Sequence, residues 1–110
     1  MLTNLGYAFS VHRTDGYCVV RASGELDIAS VGAMGACVRQ ARRHAGPIVV
    51  DLRDVTFMDT FALRALLALQ LESDDTGSFH VVPGEGIQRV LDLAGFRDVL
   101  RWISPEQLGR

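Results

Sequence analysis

Near the start of the chain the apolar residues Tyr7, Phe9 and Val11 alternate with Ala8, Ser10 and His12. This period of two predicts a strand over residues 7–13 with one buried face. Asp15-Gly16 supplies a turn, and the β-rich run Tyr17-Cys18-Val19-Val20-Arg21-Ala22 follows directly, so the two elements predict a hairpin. Ser23-Gly24-Glu25-Leu26-Asp27 then reads as an acidic loop containing a glycine. Beyond it Ile28, Val31, Met34, Val38 and Ala41 recur at helical spacing, with Asp27 or Ser30 as the N-cap and Arg42, Arg43 and His44 where cations suit a helix C-terminus.

Gly46-Pro47 stops that helix, and the short continuous apolar run Ile48-Val49-Val50 predicts a central strand covered on both faces. The segment 51–58 is expected to carry the chain out of the sheet. Asp59 begins a second helix, largely buried, whose densest apolar stripe is Leu63, Leu66, Leu67 and Leu71. After a turn at Asp74-Asp75-Thr76-Gly77, Phe79-His80-Val81-Val82 predicts another buried strand. Ile87, Val90, Leu91 and Ala94 predict a third helix closed by Gly95. Residues 99–103 are expected to form a last strand, and Ser104-Pro105-Glu106-Gln107 reads as a helix start with a capping box. The order β-β-α-β-α-β-α-β-(α) gives an α/β fold: a mixed sheet that opens on an N-terminal hairpin and has helices packed against it.

Length and composition narrow the field of functions. The 110 residues are expected to make one domain over 1–110, and 48% hydrophobic with 22% charged residues is an ordinary globular balance. A net charge of −2 offers no general attraction to phosphate backbones or anionic lipid; no direct nucleic-acid partner and no membrane contact are expected. All eleven basic residues are arginine, which excludes chemistry that needs a P-loop lysine, a Schiff-base lysine or a lysine base. Cys18 and Cys37 fall inside apolar patterns and are expected as buried free thiols. The N-terminal residues show no charged segment followed by a long apolar run, and no apolar stretch approaches the ~20 residues of a membrane span. The expected location is the cytoplasm.

In α/β sheets function collects where loops leave the carboxyl ends of strands. The loop after Ala22 offers Glu25 and Asp27; the stretch after Val50 offers Asp51, Asp54, Asp59 and Thr60. Thr60 falls at the start of the second helix, where unpaired backbone N–H groups and the positive dipole end accommodate an added phosphate. Phosphorylation would add about −1.5 to −2 charge beside Asp59 and repel an acidic or apolar partner surface. From position alone the pair equally well caps and begins a helix.

The run Ile48-Val49-Val50-Asp51-Leu52-Arg53-Asp54-Val55-Thr56-Phe57-Met58-Asp59-Thr60 resembles the central strand and switch loop of STAS domains, the family of anti-sigma factor antagonists and of sulfate-transporter tails. Ser23-Gly24-Glu25-Leu26-Asp27 resembles the family's Gly-Glu-Leu-Asp loop, Leu91-Asp92-Leu93-Ala94-Gly95-Phe96 its late helix end, and the order of elements agrees. The resemblance covers nearly the whole chain. It implies a non-enzymatic protein, without a cofactor or metal of its own, that captures an anti-sigma factor serine/threonine kinase of the histidine-kinase-like ATPase class and so frees a sigma factor. The kinase, with its own ATP and magnesium, phosphorylates Thr60 and is released, and a serine/threonine phosphatase resets the cycle. Gly24, Glu25, Asp27, Asp59, Thr60, Phe61 and Ala62 are the implied partner-binding residues. Where family loops continue with small residues, Phe61-Ala62 follows Thr60 here, so Phe61 is either an apolar anchor for the partner or an obstacle to the kinase.

Other readings fit less of the chain. A response-regulator receiver requires an acidic pair after its first strand and a lysine, and neither is present. His12, His44 and His80 lie in separate elements without metal-ligand spacing. No GxSxG-type motif marks a nucleophile, Glu25 and Asp27 read as solvated loop residues, and no phosphate loop supports nucleotide binding. The remaining alternative keeps the fold and drops the cycle: a constitutive STAS adaptor in a transporter or stress-signalling assembly.

Overall fold

The computed structural model of the protein describes residues 2–4, 6–14, 16–43, 46–73, 79–95 and 98–108. The expected turn residues Asp15 and Asp74–Gly77, together with His44 and Phe96, lie outside them. Five strands form one sheet in chain order: β1 (Leu2–Asn4), β2 (Tyr7–Thr14), β3 (Tyr17–Leu26), β4 (Ile48–Met58) and β5 (Phe79–Val82). The first two junctions, β1 with β2 and β2 with β3, are antiparallel; β3 with β4 and β4 with β5 are parallel. The predicted hairpin is therefore β2–β3, and β1 is an addition to it that the sequence pattern did not reveal.

Helices α1 (Val31–Ala41), α2 (Thr60–Glu72) and α3 (Gln88–Ala94) cover one face of the sheet. Phe9, Val20, Val50, Leu52 and Val81 from the strands meet Met34, Val38, Leu63, Leu66 and Leu91 from the helices in one core. On the opposite face a smaller cluster of Val19, Val49 and Val82 is covered by Ile103 and Leu108 of the C-terminal segment. This two-sided cover explains the uninterrupted apolar run at the start of β4, where Val49 and Val50 are fully buried. Cys18 and Cys37 are free and buried, and burial pushes both thiols above their ordinary range.

Several expectations need correction. β4 continues through 51–58 instead of leaving the sheet. Opposite β3 it accommodates two extra residues, at the register shifts between Arg21 and Ser23 and between Gly24 and Glu25. Such bulges change which side chains face inward, so Leu52, Val55 and Met58 are buried at steps of three and hide the strand from a test for alternation. The last strand reduces to one parallel bridge between Val81 and Trp102. Its neighbouring backbone groups are engaged elsewhere: the buried Gln70 side chain donates to Val99 O and accepts from Arg101 N, both at 2.8 Å. After it, residues 105–108 form a short 3-10 turn, where Gln107 Oε1 accepts from Ser104 N at 2.8 Å as a capping box requires.

Two residues assigned to apolar helix stripes are on the surface, Ile28 with 63% and Leu71 with 60% of its area exposed. The inward stripe of α2 is Leu63, Leu66 and Leu69. Replacing Leu71 by glutamine is accordingly expected to change unfolding free energy by no more than about 0.5 kcal/mol, which chemical denaturation would read directly. Arg42 also departs from its expected role: its guanidinium crosses to α2, donating to Leu69 O at 2.8 Å and to Ser73 Oγ at 2.6 Å, and pairs with Glu72 at 2.9 Å. The cation thus stabilises the C-terminal end of the neighbouring helix.

Candidate functional site

The stretches 23–27 and 57–62 form one surface. β3 and β4 run side by side to their ends, with Glu25 opposite Phe57 and Leu26 opposite Met58. Asp59 N then donates to Leu26 O at 3.1 Å, carrying the pairing one residue past the strand. Asp59 is extended and its Oδ1 accepts from Ala62 N at 3.0 Å, an N-cap of the expected kind. Thr60, the first residue of α2, is exposed, as is Phe61, while Ala62 is buried under the turn.

The neighbouring loop is fixed by its own side chains. Asp27 Oδ1 accepts from Ala29 N at 2.9 Å, and Ser30 Oγ accepts from Asp27 N at 2.9 Å. Ser30, one of the two expected candidates, is the N-cap residue of α1 but makes no side-chain cap bond; its side chain and that of Asp27 brace the turn between them. Gly24 has φ +84°, a left-handed conformation that glycine tolerates. It lies opposite Tyr7 on β2, and the following residue, Glu25, donates its N–H to Gly6 O at 2.7 Å. Glu25 is exposed and Asp27 half-buried.

The paired strand ends and the first turn of α2 expose more large apolar residues than the sequence suggested. Phe61 is 52% exposed, Phe57 50%, and Ile28 is the most exposed of the three. Ile28 was missed because it continues the helical spacing of Val31 and Met34, although the Asp27-to-Ser30 turn holds it outside the helix. Phe57 was missed because the bulges rotate it outward. Large apolar side chains grouped on a surface mark protein-binding sites more often than they serve the fold.

Asp51 and Asp54 do not join this group. They lie on the opposite side of the sheet: Asp51 lines a cleft of about 400 Å³ with His12, Arg13, Arg21 and Arg53, and Asp54 a smaller one of about 130 Å³ with Ser10, Arg21 and Ser23. Arg21 pairs with Asp54 at 3.1 Å. Asp51 is almost wholly buried and holds Arg53 through both carboxylate oxygens, at 3.0 and 2.7 Å, with Arg53 N adding a third bond at 3.0 Å. Burial on its own raises this carboxyl's pKa, but the Arg53 bonds and the charges of Arg53 and Arg21 outweigh it and hold the group below its ordinary value. Asp51 is thus a structural anion, set apart from Thr60 by the sheet. His12 and His80 lie on different strands, and no cluster of three metal-ligating side chains occurs among the described residues. No helix among them is long and apolar enough to cross a membrane.

The STAS domain family profile matches residues 8–107, and the chain belongs to that family. No curated protein sequence is significantly similar. Among solved structures, the chain is similar to an anti-sigma factor antagonist from Mycobacterium paratuberculosis, with a TM-score of 0.78 and 25% identity over 96% of this chain and 91% of that one. It shares the fold of SpoIIAA, an anti-sigma factor antagonist, in its unphosphorylated form, with a TM-score of 0.70 and 20% identity over 91% of each chain. The phosphorylated form of SpoIIAA, a Bacillus cell fate determinant, gives a TM-score of 0.63 and 21% identity over 91% of this chain and 95% of that one.

Proposed function

We propose that this chain is a cytoplasmic anti-sigma factor antagonist that works by switching partners. Its unphosphorylated form binds an anti-sigma factor kinase of the histidine-kinase-like ATPase class and frees the sigma factor. Phosphorylation of Thr60 ends the complex, and a serine/threonine phosphatase restores it. Gly24, Glu25, Asp27, Asp59, Phe61 and Ala62 shape the contact surface around the acceptor hydroxyl.

The observation that carries this reading is an exposed Thr60 on the first turn of α2, followed by an exposed Phe61, where the paired ends of β3 and β4 lead to exposed Ile28 and Phe57. An interface of this kind gains most of its affinity from apolar anchors excluded from water. Placing a phosphate among them adds charge that must be desolvated on binding, beside an existing aspartate, and each term opposes association. Phe61 belongs to the reading as an anchor: it lies on the exposed side of the first helical turn next to Thr60, leaving the hydroxyl's own residue exposed. The likeness to antagonists in both phosphorylation states supports the same assignment.

The test is capture of partners from the native host with wild-type protein, Thr60→Ala and Thr60→Glu as baits. Wild type and the alanine variant are expected to retain an ATP-binding kinase, and the glutamate variant to bind it at least about tenfold more weakly. Incubating the recovered kinase with wild type and ATP should add one phosphate at Thr60, readable by mass spectrometry. Equal retention by all three baits, or retention of transporter or scaffold components instead, would replace the cycle with constitutive adaptor binding.

A further inference from the structure

Beside the Thr60 surface, the bulged end of β4 and the start of α3 enclose an apolar groove of about 260 Å³, lined by Phe57, Met58, Gly86, Arg89 and Val90. It is smaller than the roughly 300–1,000 Å³ typical of small-molecule sites, a size suited to a protein side chain. Its floor is built closely. A Cβ on Gly86 would overlap Val55 O and come within 3.1 Å of Thr56 Cα, so the turn before α3 rests directly on the backbone of β4. Phe57 is a wall of this groove and is itself half exposed, three residues before Thr60 in the chain. At the rim Arg89 is exposed and takes part in no ion pair among the described residues.

We propose that this groove is a second docking point for the same partner, receiving an apolar side chain flanked by a carboxylate that pairs with Arg89. The inference rests on the partner-binding reading of the Thr60 surface and gives it a second anchor. Continuity through Phe57 makes one partner able to reach both points, and the unneutralised guanidinium selects an acidic flank. A two-point contact also explains how one phosphate releases a partner without dismantling the whole surface: Thr60 controls the first point, while the groove sets which protein is recognised.

The ATP-binding kinase recovered on wild-type protein serves, once purified, as the probe in calorimetric titrations with wild type, Arg89→Glu, Arg89→Lys and Thr60→Glu. Arg89 lies on the surface, so its variants should keep the wild-type melting temperature. Arg89→Glu is expected to bind about tenfold more weakly, with the deficit shrinking at high salt, and Arg89→Lys to bind within about threefold of wild type. If Arg89→Glu binds like wild type while Thr60→Glu is impaired, the groove is not a docking point and the switch stands. If Thr60→Glu binds like wild type while Arg89→Glu is impaired, the groove stands and the switch falls. Wild-type affinity in both variants, or capture of no ATP-binding kinase by wild type, overturns both.

Discussion

Replacing Arg53 with alanine is expected to lower the unfolding free energy by about 1–3 kcal/mol at neutral pH, the cost of leaving a buried acceptor short of its partners. The side chain lost is partly exposed; the cost comes from what it leaves behind. Asp51 is 2% exposed and takes two of its three hydrogen bonds from the Arg53 guanidinium. Without them its charge keeps one backbone N–H and the influence of Arg21.

The pH dependence gives the same prediction a second readout. In wild type the folded carboxyl titrates below its ordinary value. Its contribution is therefore complete above about pH 3.9 and is lost as pH falls through the folded value. In the variant, burial becomes the dominant influence and raises the carboxyl. The folded state then takes up a proton more readily than the unfolded chain, so the deficit against wild type narrows as pH falls from 7 towards 4. Urea denaturation of both proteins across that range measures it. A deficit below about 1 kcal/mol at every pH would mean that water in the adjoining cleft solvates Asp51 in place of Arg53.

Most of the fold was legible where one physical rule acted alone. Alternation located β2, continuous burial located the start of β4, and the Asp59 cap located the start of α2. The pattern failed where tertiary bonds override local preference. Residues 51–58 remain in the sheet because bulges admit two extra residues, and no local periodicity registers that. Residues 99–103 have strand-like composition, yet Gln70 occupies the backbone groups a ladder would use. At the site, Thr60 and Asp59 were legible from helix-start chemistry, whereas the separation of Asp51 and Asp54 from them was not. Five carboxylates on two expected loops read as one group until the pleat sends Asp51 and Asp54 to the other face.

Gly24→Ala is expected to damage both stability and binding, because that glycine joins the hairpin to the candidate docking surface. At φ +84° an L-residue is strained by about 1–2 kcal/mol. The added methyl would also overlap Gly6 O, while Gly6 C and Tyr7 Cα would be only 2.9 and 3.0 Å away. These are backbone atoms, so relief requires the chain at 6–7 to move away from β3. That movement breaks the 2.7 Å bond from Glu25 N to Gly6 O, a further loss of about 1 kcal/mol. The combined cost is expected to be about 3 kcal/mol. Gly16→Ala provides the control: its φ of +88° imposes similar backbone strain, but an added Cβ meets nothing within 4 Å. It should lose only the strain and bind normally. Thermal denaturation of the two variants separates the overlap from the strain, and titration with the purified partner shows whether displacing Glu25, which lies opposite Phe57, weakens the contact. Equal stability losses in the two variants would mean that the hairpin moves aside at no cost. The close packing at Gly24 would then contribute nothing to holding Glu25 and Asp27 beside Thr60.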